Sequence, residues 1–340
     1  MSSKLFKVFK WEFWPFWFFY VPVYVKYLWY SLRAGSMTFF SAANPAMYLG
    51  GFSMYSKHSI LLGIEEKYLP KMCFLTHEDC VSAELVKEKL TSAKIDYPFV
   101  LKPDKGERGF GVEKISEKSE LIQYLSTVKG NIIAQEYISY PLELGIMYHR
   151  FPDEKSGKVT SVVQKKFLSV TGDGRHSLLE LINKGERTRY YTKMLQEKYA
   201  KELQNVLPKG YYKELISIGN HVRGTMFLNA NHLINNQLQV VMDAIAVPIK
   251  GFYFGRFDLR VTSIEELYQG KNIKIMELNG ANSEPAHIYD PSMKLFKAYG
   301  FLFRHWKNLF LISRENHRRG EPYPPVWKVY REMRTYFKTR

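Results

Sequence analysis

The chain has 340 residues, 46% hydrophobic and 24% charged, which supplies a large core in two or three subdomains and excludes a disordered chain. Its net charge is +16, and its two cysteines, Cys73 and Cys80, match no metal or redox spacing and read as free thiols in a reducing compartment. Residues 1–35 hold five Lys or Arg against Glu12, and residues 294–340 hold twelve against three acids, so the two ends carry +13 of the +16. Those charges sit beside aromatic and aliphatic residues. That suits an anionic membrane surface and not nucleic acid, for which no module is recognisable.

Residues 11–32 (WEFWPFWFFYVPVYVKYLWYSL) are the most aromatic stretch. No small-residue cleavage site marks a signal peptide. Lys26 interrupts the run, Pro15 and Pro22 bend it, and Trp and Tyr prefer the headgroup level, so an in-plane or re-entrant anchor is expected in place of a spanning helix. Lys4, Lys7 and Lys10 would lie near lipid phosphates. The competing reading is a buried aromatic core segment or a partner interface.

Residues 42–51 are turn-rich, and Ser56-Lys57 leads into a short apolar helix. Residues 79–93 form a helix, and 96–103 (DYPFVLKP) a buried strand ending in Lys102. The loop 104–112 (DKGERGFGV) follows, and its glycines 106, 109 and 111 would let backbone N–H groups approach a phosphate. The spacing is not that of a P-loop. Residues 116–128 read as a helix capped by Ser116 with Leu121, Ile122 and Leu125 inward, and 131–138 and 142–151 as strands. Residues 158–170 form a strand carrying Lys165 and Lys166, 177–183 start a helix, 188–206 are a charged surface helix, and 238–249 a helix with a buried face. Residues 292–313 form an amphipathic helix, followed by basic residues and a Pro-broken tail at 321–325.

Residues 251–261 (GFYFGRFDLRV) and 273–278 (IKIMEL) alternate as strands, separated by a short helix and a Gln269-Gly270 turn. Alternation puts Arg256 and Asp258 on one face, and likewise Glu277 and Asn279. Two carboxylates and an amide oxygen make an all-oxygen site for a hard cation. Mg²⁺ is favoured, with Mn²⁺ as the alternative, because Mg²⁺ completes its shell with phosphate oxygens and water, which points to ATP.

In order over about residues 56–285, these pieces resemble the ATP-grasp ligases, D-alanine–D-alanine ligase and the ligase part of cyanophycin synthetase above all. The resemblance implies an α+β ATP-grasp fold, two α/β subdomains gripping ATP, here with an aromatic N-terminal segment and a basic C-terminal helix. It divides the chain into 1–40, a membrane-proximal segment; 41–95, a short N-terminal subdomain; 96–170, the lid; 171–293, the core with the Mg²⁺ site; and 294–340, the C-terminal helix and tail. Lys102 and the loop with Gly109 and Gly111 look like the strand lysine and phosphate-covering lid, and Lys57 like the earlier phosphate lysine. Gln135, Glu136 and Ile138 sit where the hinge contacts adenine, the contact falling to Gln135 or Glu136, and Glu143 where a carboxylate holds the ribose. Lys166 with Gly172-Asp173-Gly174 resembles the basic residue and G-D-G of cyanophycin-type enzymes, and Gly219-Asn220 with Gly224 their G-N-x-x-x-G.

The implied metal ligands are Asp258, Glu277 and Asn279, and the implied catalytic residues Arg256, Lys166, Asn220 and Arg223. The implied reaction is amide formation through an acyl-phosphate from ATP, on small-molecule or lipid-linked carboxylate and amine substrates; the lipid-linked alternative and the cytoplasmic face of the membrane are suggested by the aromatic and basic ends and not by the resemblance. The alternative is a kinase of the same fold acting on a hydroxyl. The sequence Gly280-Ala-Asn-Ser-Glu-Pro285 departs from the small-residue loop of the dipeptide ligases, so joining of free D-alanine is not implied.

Overall fold

The computed structural model describes residue 11 and residues 14–106, 109–216 and 224–338. Pro15 precedes a one-turn helix α1 (Phe16–Phe19), and Pro22 lies in the first turn of α2 (Val21–Ala34), where its missing N–H leaves no helix bond unmade. Gly35, at φ +67°, closes α2 with a left-handed cap. The prolines of the aromatic run therefore start helices. Ser56 caps α3 (Lys57–Leu61) by accepting from the Ser59 N–H.

The first sheet is antiparallel, in the order β1-β4-β2-β3: β1 (Met72–Leu75), β2 (Phe99–Pro103), β3 (Glu113–Ile115) and β4 (Ile132–Glu136). Helices α4 (Ala83–Ser92) and α5 (Lys118–Leu125) cover one face of it. Alternation sends Phe99, Leu101, Ile132 and Ala134 into the core with Val86, Leu90 and Leu121. It leaves Lys102 and Gln135 on the other face. The expected helix over 79–93 breaks at Ser82, which caps α4 through the Leu85 N–H. Helix α5 starts two residues beyond Ser116, with Glu117 at its cap position, and Ile122 is exposed.

The second sheet has five antiparallel strands in the order β11-β10-β5-β6-β9. Strands β5 (Leu142–His149) and β6 (Lys158–Lys166) form a hairpin. The expected strand over 158–170 stops at Lys166; β7 (Ser169–Thr171) leaves the sheet and pairs with β8 (Tyr212–Glu214). Between β7 and β8 lie α6 (Leu178–Lys184), started by a Ser177/Glu180 capping box, and α7 (Thr192–Lys198). The long helix expected over 188–206 is thus a 3₁₀ turn and two turns of α-helix, because Leu195, Tyr199 and Leu203 fold over a small core of their own with Leu178 and Ile182.

The remaining elements of this half are β9 (Met226–Asn229), α8 (Asn236–Ala246), β10 (Phe254–Val261), α9 (Ile264–Tyr268) and β11 (Ile273–Asn279). One face of the sheet, with Leu144, Ile146, Val162, Phe257 and Leu259, packs on Leu238, Met242 and Ile245 of α8. The other face carries the charges.

The long helix α10 (Leu295–Arg318) docks on the protein itself, burying Ala298, Leu302, Leu309, Phe310 and Ile312. Helix α2 lies along it: Tyr30 stacks on Phe310 at 4.7 Å between ring centroids, and Tyr27 meets Trp306 edge-on. Phe296, in the first turn of α10, is 87% exposed. After the Pro-broken tail the chain forms a last helix, α11 (Val326–Lys338), which the sequence reading did not anticipate.

Candidate active site

Antiparallel pairing of β10 with β11 sets Arg256 opposite Asn279 and Asp258 opposite Glu277. These are cross-strand neighbours on one face, as the alternation of both segments demands. Arg256 holds Asp258 with two hydrogen bonds, Nε to Oδ1 at 2.8 Å and Nη2 to Oδ2 at 3.1 Å. The Asn279 amide donates to Asp258 Oδ2 at 3.3 Å, while its oxygen accepts from Tyr55 at 3.1 Å. Burial alone would raise the Asp258 pKa, but the Arg256 and Lys165 charges outweigh it and hold the carboxyl down to about 2.

On the neighbouring strands Lys165 reaches across, 3.6 Å from Asp258 and 3.0 Å from Glu143, and Glu143 in turn accepts from Arg260 at 2.9 Å. Arg256, Asp258, Lys165, Glu143 and Arg260 thus form one continuous, largely buried chain of alternating charge. Gly145 faces Asp258 on β5; a Cβ there would lie 2.8 Å from Val163 and 3.1 Å from Asp258 Oδ1. A side chain at 145 would push Asp258 out of line.

Lys57, the first residue of α3, pairs with Glu277. It is fixed from behind by Asp104: the Lys57 N–H donates to the Asp104 carbonyl at 3.1 Å, and the Asp104 carboxylate accepts from Ser56 Oγ and the His58 N–H, each at 2.9 Å. Lys102, at the end of β2, donates to Gln135 Oε1 at 3.0 Å and to the Met276 carbonyl at 2.8 Å, so it links the first sheet to β11. Among the described residues no carboxylate pairs with it. Burial, with repulsion from Lys57 added and only Asp104 opposing, pushes its pKa down to about 7.

Gly109 and Gly111 take left-handed backbone, φ +69° and +65°, and Gly111 is held by Tyr124 Oη donating to its carbonyl at 2.7 Å. Gln135 is buried, its Oε1 taken by Lys102 and its Nε2 without a hydrogen bond among the described residues. Glu136 accepts from the Lys71 N–H at 3.1 Å, and the Ile138 carbonyl accepts from Arg260 at 2.6 Å. Both oxygens of Glu143 are taken by Lys165 and Arg260.

The parity of β6 turns Lys165 toward Asp258 and leaves Lys166 exposed on the opposite side of the sheet. The lysine expected at 166 is therefore replaced in the cluster by Lys165. Asn220 and Arg223 lie outside the described residues, as do residues 107 and 108 of the glycine loop. Lys165, Asp104, Arg260, Tyr55 and Gly145 belong to the arrangement without having been singled out. Arg260 could have been read from its i+4 spacing to Arg256; Lys165 needed the register of β5.

Among the described residues no three histidines, cysteines or carboxylates cluster as a metal site. The donor set at β10 and β11, two carboxylates and one carboxamide oxygen, has the all-oxygen chemistry of a hard cation that takes its other ligands from phosphate and water. Each donor now meets a Lys, Arg or Tyr partner, and a cation would take over part of that neutralisation.

Beside the cluster opens a cavity of about 680 Å³, walled by Met47, Tyr55, Ser56 and Lys105 on one side and by Arg331 and Tyr336 of α11 on the other. In the loop after β11, Glu284 accepts from Tyr20 and, at 2.8 Å, from Tyr289, and its carbonyl accepts from Arg256 at 3.4 Å.

No family model and no curated protein matches the chain. Among solved structures it is similar to the D-alanine–D-alanine ligase of Bacillus anthracis, at 17% identity over 81% of this chain and 72% of that one, with a TM-score of 0.47. The same enzyme complexed with ATP gives 14% identity over 81% and 71%, TM-score 0.45. The VanG D-Ala:D-Ser ligase of Enterococcus faecalis gives 17% over 74% and 59%, TM-score 0.40. The observed fold is the α+β architecture that the sequence led us to expect, with two antiparallel sheets facing one charged cluster.

Proposed function

We propose that the chain is an ATP-grasp enzyme that joins a carboxylate to an amine at the expense of ATP. The observation that carries this reading is the convergence of Lys57, Lys102, Lys165 and Arg256 with Asp258, Glu277 and Asn279 between the two sheets. Buried charges in such number destabilise a fold unless a ligand or partner uses them. Four cations suit a polyphosphate.

In this reading Lys57, Lys102 and Lys165 hold phosphate oxygens, and the glycine loop at Gly109 and Gly111 lies over them to exclude water. A Mg²⁺ held by Asp258, Glu277 and Asn279 supplies Lewis-acid neutralisation of the phosphates. The substrate carboxylate attacks the γ-phosphorus, the bond to ADP breaks, and an acyl-phosphate forms. The amine nitrogen then attacks the acyl carbon, phosphate leaves, and the amine proton passes to solvent. Arg256 stabilises the negative oxygens of both steps, positioned by its grip on Asp258. The cavity between Tyr55 and α11 has room for the acid substrate, with Lys105 and Arg331 to meet its charge. We place the enzyme at the inner face of the cell membrane, acting on a lipid or lipid-linked precursor.

The test is ³¹P NMR of the purified protein with ATP, Mg²⁺ and pooled cell extract, followed by mass spectrometry. Inorganic phosphate appearing with a new amide is the expected result. A new phosphate ester without free phosphate would make the enzyme a kinase and overturn the ligase reading.

A further inference from the structure

Helix α2 buries Val23 and Tyr30, with Tyr27 half-buried beside them, against α10. On the opposite side, Val21, Val25, Leu28 and Leu32 fall within about 60° of one another at 100° per residue. All four are exposed, Val25 at 65% and Leu32 at 79%. Trp17 and Phe18 of α1 and Tyr24 and Trp29 of α2 extend the same unpartnered apolar face at 44% exposure or more. Monomeric proteins seldom leave so contiguous an apolar face in water.

The rim is basic. Lys26 and Arg33 share one edge of α2 next to Trp29 and lie over the rings of Phe303 and Phe310 of α10, 5.6 and 5.7 Å from their centroids. Arg314 covers Phe310 from the other helix, and Arg304 and Lys307 are exposed on α10. Neither α1 nor α2 contains an acidic residue. Among the described residues no helix is long and apolar enough to cross a membrane.

From this geometry we infer that the outer face of α1 and α2 seats the protein in the plane of an anionic lipid surface. The aliphatic stripe enters the acyl boundary, Trp17 and Trp29 lie at headgroup level, and Lys26 and Arg33 reach lipid phosphates. A second copy docked through the same stripe would bring Lys26 and Arg33 toward their own counterparts, with no acid on either helix to receive them. Charge complementarity therefore favours lipid. The face also has a line to the site. Tyr20, the residue that opens α2, is buried and holds Glu284, whose carbonyl accepts from Arg256. A membrane seated on α2 thus lies one hydrogen-bonded residue from the loop that follows β11.

The inference gives the membrane part of the functional proposal its surface; it rests on that part and not on the reaction. The test is flotation of the full chain with phosphatidylcholine vesicles, with and without about 30% phosphatidylserine, together with size-exclusion chromatography and ATP-analogue binding. We expect the protein to float with the anionic vesicles. The double variant Leu28→Glu/Leu32→Glu should lose at least about tenfold in partitioning, and Lys26→Gln/Arg33→Gln should weaken binding and flatten its salt dependence. Both should keep wild-type ATP-analogue binding; the glutamate variant should also keep the wild-type melting temperature, because Leu28 and Leu32 point to solvent, whereas the Lys26/Arg33 variant should melt slightly lower for want of its contacts to Phe303 and Phe310. Undiminished flotation of the glutamate variant overturns the inference, as does a wild-type dimer that this variant splits into monomers. Loss of flotation on removal of α11 alone, with α2 intact, overturns it too. Failure of the protein to bind ATP while the flotation pattern holds would leave the lipid face standing and remove the reaction.

Discussion

Arg256 and Asp258, two residues apart on one strand, grip each other through two nearly parallel hydrogen bonds of 2.8 and 3.1 Å. Such a fork orients the guanidinium as well as pairing it. Removing the charge of Asp258 would leave Arg256 and Lys165 buried with one counter-ion fewer. For Asp258→Asn we expect about 3 kcal/mol lost in chemical denaturation, with the fold retained by circular dichroism. ATP turnover should fall by roughly 10²–10³-fold, the effect of losing one well-placed charge group. Glu277→Gln should show the same loss of turnover. Near-normal turnover in either variant would remove both residues from the phosphate site.

Two adjacent lysines give a sharper test. Lys165 is buried between Glu143 and Asp258, whereas Lys166 is exposed on the other side of β6. Lys165→Met should abolish turnover and change the denaturation midpoint, since it takes one of two cationic partners from each of two buried carboxylates. Lys166→Met should alter stability by no more than about 0.5 kcal/mol, as surface substitutions do, and leave turnover within a few-fold of wild type. The reverse order of effects would place the reactive phosphate on the opposite face of the sheet.

That pair also shows where the sequence stopped being readable. Strand identity at 254–261 and 273–279 followed from alternation, and with it the common face of Arg256, Asp258, Glu277 and Asn279. Which of Lys165 and Lys166 shares that face depends on the register of β6 against β5, which carries an irregularity between Met147 and Tyr148. A shift of one residue inverts the answer. Asp104 was hidden for a different reason: its partners Ser56 and His58 lie 48 and 46 residues away, and no local pattern announces such a contact. The aromatic run was legible as unusual composition only. Its inner residues pack on α10 and its outer ones face water, a division set by a helix near the other end of the chain.

Lys102 gives the pH dependence. Its folded pKa, about 7, lies below the ordinary 10.5 because it is buried and faces Lys57. Between those values the unfolded chain holds a proton that the folded one has released, so this group makes stability rise with pH across that window. Comparing wild type with Lys102→Met should therefore show a difference in unfolding free energy that changes by roughly 2–4 kcal/mol between pH 7 and pH 10. A polyphosphate would favour the charged lysine. Titration calorimetry of an ATP analogue at pH 8, in buffers of different ionisation enthalpy, should then report uptake of up to about one proton per site. The Lys102→Met protein should report none from this group, and equal uptake in both proteins would assign the proton elsewhere.

Asn44 is the structural counterpart of these charges. It is fully buried, and its amide donates to the carbonyls of Gly50 and Phe254, each at 2.8 Å. Its oxygen accepts from the N–H groups of Tyr253 and Phe254, at 2.8 and 2.9 Å. One side chain thus fastens the turn-rich segment after Ala43 to the first residue of β10. That segment in turn meets the site: the Ala281 N–H donates to the Gly50 carbonyl at 3.0 Å, and a Cβ at Gly280 would sit 2.5 Å from the same oxygen. Asn44→Ala would strand three backbone groups around a small void, the N–H groups of Tyr253 and Phe254 and the Phe254 carbonyl, and leave the Gly50 carbonyl with Ala281 alone. Each unsatisfied group costs about 1–3 kcal/mol before relaxation, so a net loss of roughly 3–5 kcal/mol is expected in urea denaturation. Asn44→Asp keeps the two acceptor contacts and turns the two donor contacts into repulsions between oxygens, so it should be no more stable than the alanine variant. If either variant unfolds at the wild-type urea midpoint, the segment around Gly50 is held to β10 by packing and not by Asn44.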